Sequence, residues 1–162
     1  MKILLAIIAL VIIPPLVMVT SAFYRNDLPW TAPPGPLTRL KTYISTHVAR
    51  TAEQHPYPEL RSLHVRMPAG ALRDSLTEMI DRLGWVLAPQ AAGDDIHAVV
   101  TTPLFKYRDD IHIMLRPLAD GSVAVDVESI SRVGHGDLGT NTRHVLDLYR
   151  MIRSDPDITV LP

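Results

Sequence analysis

Between Ser129 and Arg143 the chain reads Ser-Ile-Ser-Arg-Val-Gly-His-Gly-Asp-Leu-Gly-Thr-Asn-Thr-Arg, three glycines set among hydroxyl, carboxylate, amide and guanidinium groups. Ser129, Ser131 and Arg132 stand just before Asp137; Asn141 and Arg143 stand just after it. Apolar residues recur at helical spacing from Leu138 onward, so Asp137 marks a helix start. Such a start presents free backbone N–H groups and the positive end of the helix dipole. An Arg beside it adds a fork of donors matched to carboxylate and phosphate oxygens. The chemistry on offer is anion binding, with a small anionic molecule or a lipid headgroup as ligand. The same residues have a purely architectural reading. Asp137 then caps the helix, Arg132 pairs with Asp109 or Asp110, and Gly134, Gly136 and Gly139 shape a turn. Spacing alone leaves both open.

Other chemistries are weaker. Asp109 and Asp110 are adjacent on an expected strand, so their side chains leave opposite faces and make no catalytic dyad. Pairing with Arg132 or Arg143, or a turn after Tyr107-Arg108, is expected instead. Of the seven histidines, none shows the H-x-x-x-H or H-E-x-x-H spacing of a metal site. Most are expected on the surface, with His97 and His112 on neighbouring strands. There is no Gly-rich phosphate loop and no G-x-S-x-G elbow. No catalytic residue, metal or cofactor is assigned. The chain has no cysteine, which excludes disulfides, thiol chemistry and cysteine-based zinc sites. A net charge of −1 leaves no broad basic surface for nucleic acid.

The elements that must position the loop follow from periodicity. After Lys2 an apolar run extends from Ile3 to Val19 and continues through Tyr24. As a helix, residues 3–24 reach ~33 Å at ~1.5 Å per residue, enough for a ~30 Å bilayer core. Residues 1–25 are therefore read as a transmembrane anchor, or alternatively as a cleaved signal peptide with a poor cleavage site at Thr20-Ser-Ala. Lys2 favours a cytoplasmic N-terminus and a domain on the far side. Residues 26–56 form a Pro-rich spacer and a short helix, Leu37 to Arg50, with Leu37, Leu40, Ile44 and Val48 as its apolar stripe. Residues 57–153 form the main domain. A helix from Ala71 to Leu83 carries Leu72, Leu76, Met79, Ile80 and Leu83 on one face. Strands are expected at Ser62–Met67, Ile96–Thr102, Asp110–Pro117 and Ser122–Ser129, with a further short one at Trp85–Ala88. Ala119-Asp-Gly121 turns the last hairpin. The final helix lays Leu138, Val145, Leu148, Tyr149 and Ile152 on the sheet, and the tail 154–162 frays. The fold class is α+β: an antiparallel sheet of about four strands with helices packed on one face, behind an N-terminal membrane helix.

With these elements placed, the segment from about Tyr57 to Ile152 resembles the family known as domain of unknown function 1499. The matching features are Tyr57-Pro58, Leu83-Gly-Trp85, Thr101-Thr102 before Phe105, and Asp109-Asp110 opening a strand. Ser129-Ile-Ser-Arg-Val-Gly134 then leads into Asp137-Leu-Gly-Thr-Asn141 and Arg143. The chain departs from the family at His135, where Arg or Lys is usual, and in lacking cysteines near the domain start. The resemblance implies an envelope or organelle-lumen setting and supplies no reaction. The resulting expectation is a membrane-anchored envelope protein, in a bacterial inner membrane facing the periplasm or secreted after cleavage. It would act as a non-catalytic module for a ligand, a lipid or an envelope protein partner. Its candidate binding residues are Ser129, Ser131, Arg132, Asp137, Asn141, Arg143, Asp109 and Asp110. The alternatives are a hydrolase or transferase using Asp109, Asp110, Arg132 and Asp137, and a scaffold subunit of a membrane complex.

Overall fold

The computed structural model describes residues 2–89, 95–103 and 106–162, apart from the side chains at positions 3–7 and 9. Phe105, one of the residues carrying the family resemblance, lies outside the described residues. Four α-helices are described: α1 (Lys2–Asn26), α2 (Pro36–Ser45), α3 (Ala69–Arg82) and α4 (Thr140–Ser154). The strands are β1 (Val48–Arg50), β2 (Leu63–Arg66), β3 (Val86–Leu87), β4 (Ile96–Thr101), β5 (Arg108–Pro117), β6 (Val123–Ser131) and β7 (Thr159–Val160). The architecture is α+β with antiparallel strand pairing throughout the named strands. Seven strands are present among the described residues where about four were expected. The short strand expected at Trp85–Ala88 is β3; the unexpected strands β1 and β7 are three and two residues long, too short for a period of two to show in sequence.

The sheet runs β3-β4-β5-β6-β2-β7, with β1 also on β6. Two separate segments share one edge of β6: β2 pairs along 123–125 and β1 along 128–130. The β5–β6 hairpin turns as expected. Gly121 adopts φ 80°, and the Asp120 carboxylate accepts from both the N–H and the hydroxyl of Ser122.

Helices α3 and α4 cover one sheet face. From α3, Leu72, Leu76, Met79 and Ile80 are buried; from α4, Val145, Leu148, Tyr149 and Ile152. They meet Ile111, Ile113, Val125 and Val127, none of which retains solvent exposure. Gly84 ends α3 in the left-handed region at φ 71°, where a Cβ would be strained. The other sheet face stays half-exposed and polar, with His97, Asp110, His112, Asp126 and Glu128. His97 and His112 are cross-strand partners, their rings stacked with centroids 4.4 Å apart.

Two expectations are overturned. The helix expected to reach Arg50 stops at Ser45, where Thr46 turns extended, and the chain re-enters as β1. Its stripe also faces the other way. Arg39 and Tyr43 are buried, while Leu37, Leu40 and Ile44 are 82%, 40% and 54% exposed. Periodicity reveals that one face is apolar and not which face meets the core. Here Arg39 finds a full set of buried partners, so its burial is not penalised. The tail does not fray: Ile158 is buried, β7 pairs with β2, and the Leu161 N–H donates to the His64 carbonyl at 2.8 Å. The otherwise open edge of β2 supplies the hydrogen bonds that hold it.

Helix α1 runs 25 residues through Pro14 and Pro15. Among the described residues, no helix is long and apolar enough to cross a membrane.

Candidate functional site

The Ser129–Arg143 segment is the junction where β6, α4, α2 and the end of α1 meet, and its polar groups divide between two sides of the sheet. On the inner side lies a buried network. The Asn141 amide donates to the Asp137 carboxylate at 2.6 Å, to the Ser131 hydroxyl at 2.9 Å and to the His47 carbonyl at 2.8 Å. Its oxygen accepts from the Ser129 hydroxyl. Asn141 and Ser129 are fully buried. The helix N-terminus proper is Gly139, at φ 83° with no side chain to cap with. Asp137 supplies the cap from two residues upstream, accepting from the Gly139 N–H at 2.8 Å and the Asn141 N–H at 2.9 Å. Its carboxylate therefore occupies the place where an anion would sit. Burial pushes the Asp137 carboxyl above its ordinary range, against the pull of those backbone donors.

On the outer side, Arg132 grips Asp110 with two nitrogens, each at 2.7 Å. His97 adds a third contact to the same carboxylate at 3.0 Å. The Arg132 guanidinium beside it, with His97 helping, holds the Asp110 carboxyl down at about 2. Asp109, one residue away, points inward as strand geometry requires. It is 1% exposed and meets His144 of α4 at 3.0 Å. Of the two partners expected for Arg132, Asp110 is the one observed. Arg143 turns to Asp147, with Nε 2.9 Å from a carboxylate oxygen, and to the Asn26 carbonyl. The candidate residues thus fall at four places: Ser129, Ser131, Asp137 and Asn141 together, Asp110 with Arg132, Asp109 with His144, and Arg143 with Asp147.

The junction also seats the segment that leads in from α1. The Asn26 amide donates to the Leu138 carbonyl at 2.9 Å, and the Leu138 N–H donates to the Tyr43 carbonyl of α2 at 2.9 Å. Leu138 holds φ 55°, a region that Leu rarely adopts, and these two bonds fix it there. Buried Leu28 lies against Gly139, where a Cβ would collide with its side chain. A Cβ at Gly136 would strike the backbone of Ile44. These two glycines give the loop the close approach that its neighbours need.

Under α2, bounded also by β1 and the 55–60 segment, lies a cavity of about 300 Å³. Its lining includes Thr42, Ser45, Thr46, Tyr57 and Thr142, with His55, Arg50 and Asp137, beside apolar Val48, Ala49 and Leu60. Thr42 and Tyr57 share a hydrogen bond of 2.7 Å between their hydroxyl oxygens. Among the described residues, no group of three or more His, Asp or Glu is placed to hold a metal ion.

Three residues that tie these elements together were not legible in the sequence. Arg39 is fully buried and binds Glu59 with two nitrogens. Its Nε reaches the Ala32 carbonyl at 3.0 Å and its guanidinium lies over the Tyr57 ring, 4.7 Å from the centroid. A basic residue opposite an apolar stripe was the available signal, and it points to solvent in most helices. His144 is buried, not on the surface; its partner is 35 residues away and carries no local pattern. Tyr57 carries the family resemblance, and its bond to the Thr42 hydroxyl has no local pattern.

The chain belongs to the family described as "Protein of unknown function (DUF1499)", whose family model matches residues 36–152. The match begins at α2, ahead of the Tyr57 at which the resemblance starts, so the α2 helix and the cavity beneath it are part of the family unit. A comparison with curated proteins finds no match.

Proposed function

We propose that the protein is a membrane-anchored, non-catalytic binding module that holds a small, neutral, hydroxyl-bearing molecule in the cavity beneath α2, with the domain outside the cytoplasm. The cavity carries this reading. At about 300 Å³ it is at the small end of ligand sites, which run from roughly 300 to 1,000 Å³. Five hydroxyl-bearing residues line it; Thr42, Ser45 and Thr46 donate within the protein and keep acceptor capacity, which suits the donor groups of a polyol or a glycerol-type headgroup. A free anion suits it less, because Asp137 forms part of the wall and Arg132 is engaged by Asp110. The arrangement favours binding over catalysis: Asp109 and Asp110 face apart, Arg132 sits on the outer sheet face and Asp137 is tied up in the helix cap. The outer face supports a scaffold role less well, since Arg50 pairs with Glu128, and Arg116 with Glu53 and Asp126. Anchoring is supported by the apolar run Ile3–Val19 and by the large apolar side chains that α1 exposes, Leu10 and Val11 among them.

Native mass spectrometry of the detergent-solubilised full chain tests the cavity. The expected result is a retained small polar molecule that disappears in Ser45→Trp, which fills the mouth from the end of α2. A bare mass for the wild type would defeat the reading. Thermal unfolding with added phosphate at constant ionic strength separates the anionic alternative. Stabilisation of the wild type that is lost in Arg132→Ala would move the site to the loop's outer side.

A further inference from the structure

Helix α2 is inverted relative to a core-facing amphipathic helix. Its basic residue Arg39 is at the centre of a buried latch, with Glu59, the carbonyls of Ala32 and Pro33, and the Tyr43 hydroxyl around it. Its apolar residues Leu37, Leu40 and Ile44 recur at i, i+3 and i+7, all exposed, with exposed Lys41 beside them. No acidic residue lies in Pro36–Ser45. Scattered exposed apolar residues need no explanation; a complete helical stripe turned outward by a fully bonded Arg does.

The occupant of that stripe is indicated by what lies next to it. The last turn of α1 reaches α2 through an aromatic relay, Phe23 to Trp30 at 5.0 Å and Trp30 to Tyr43 at 5.4 Å between ring centroids. The backbone gives a second link, because Leu138 bonds Asn26 through its carbonyl and Tyr43 of α2 through its N–H. Helix α2 therefore stands beside the end of α1, whose own surface is apolar. Trp and Tyr near that end suit the headgroup level, and Lys41 suits anionic lipid.

We infer that α2 is an interfacial helix that rests its Leu37–Leu40–Ile44 face in the headgroup layer of a phospholipid surface, next to where α1 enters it. This rests on the anchoring proposed above. An interfacial helix buries one apolar face at the acyl boundary and keeps its polar face away from it. In α2 that polar face is not left to water but latched to the domain. The helix would hold the domain in one orientation, with the cavity directly behind the lipid-facing surface.

The native chain has no cysteine, so single-cysteine variants report cleanly. Full-length Leu37→Cys, Ile44→Cys, Leu10→Cys and Val86→Cys are labelled with a polarity-sensitive fluorophore. They are reconstituted in vesicles of zwitterionic and anionic phospholipid, and quenched by lipid carrying a nitroxide in the headgroup or in the acyl chain, or by aqueous iodide. Val86, on an edge strand and 67% exposed, is the water reference, and Leu10 the α1 reference. The expected result is lipid quenching at 37 and 44 at least about twofold above the Val86 site, as for a helix lying in the interface. Sites 37 and 44 matching Val86 while Leu10 is lipid-quenched would overturn the interfacial helix and leave the anchor standing. Loss of lipid quenching at Leu10 would defeat the anchor and this inference with it. Protection of 37 and 44 from both quenchers would mean that protein covers the stripe, and would also overturn it.

Discussion

Arg39 and Arg132 each hold a carboxylate with two nitrogens, and their surroundings separate them. Arg39 is fully buried and Glu59 is nearly so; the Arg132 side chain is 43% exposed beside Asp110. Removing one member of a buried pair strands a charge in a poorly polarisable interior, whereas an exposed pair exchanges its partner for water at little loss. Similar contact geometry therefore implies different weight. The buried pair ties α2 to the 58–60 turn; the exposed pair decorates the outer sheet face.

The largest expected effect tests that contrast directly. Arg39→Ala should destabilise the domain by about 3–5 kcal/mol, the range for breaking a buried ion pair, as read from urea unfolding. A loss under about 1 kcal/mol, the range of a surface pair, would erase the distinction. Asn141→Ala comes next. It removes the donor shared by Asp137, Ser131 and the His47 carbonyl, and should cost about 2–3 kcal/mol through groups left unpaired. Asp137→Ala should cost about 1 kcal/mol for the lost cap, with Asp137→Asn recovering most of it because an amide oxygen accepts the same N–H groups.

The smallest effect belongs to the exposed pair. Arg132→Ala should lower stability at neutral pH by no more than about 1 kcal/mol, the range of a surface pair. The pH dependence of Asp110 sharpens this. Its folded value is about 2, below the ordinary 3.8, so the pair contributes stability above the ordinary value and loses it as pH falls through the folded one. The gap in stability between wild type and Asp110→Asn should thus be fully open at pH 5–6 and close toward pH 2. A gap that widens on acidification would reverse the assignment.

Much of the frame was legible from sequence. The stripe Leu72-Leu76-Met79-Ile80, the Ala119-Asp-Gly121 turn and the alternation along β5 and β6 each report a face buried against one neighbour, which periodicity encodes. Also legible were the opposed faces of Asp109 and Asp110 and the capping role of Asp137. Arg39 was not, because its burial depends on carbonyls at Ala32 and Pro33 and on Glu59, which no local pattern announces. The choice of His144 for Asp109, and of Asp110 for Arg132, was equally a matter of tertiary placement. The cavity could not be read either, since its wall draws on α2, β1, the 55–60 segment and the start of α4. The boundary at Ser45 was hidden by Val48, which continues the helical spacing by coincidence while its backbone belongs to β1.

The shared edge of β6 sets an order of events during synthesis. All strand partners of β1 and β2 among the named strands, β6 and β7, lie C-terminal to Ser122. A nascent chain that has emerged only as far as the β5–β6 turn can form the β3-β4-β5 meander but not the seat for its own N-terminal strands. Val65, at 0% exposure in the finished fold, must wait uncovered on β2 until Val123, its register partner, is made. Contacts so far apart in sequence form late and slowly, and strands left without partners are open to pairing with another chain. The same strand that locks the register therefore defines the window in which the unfinished protein is most exposed to aggregation.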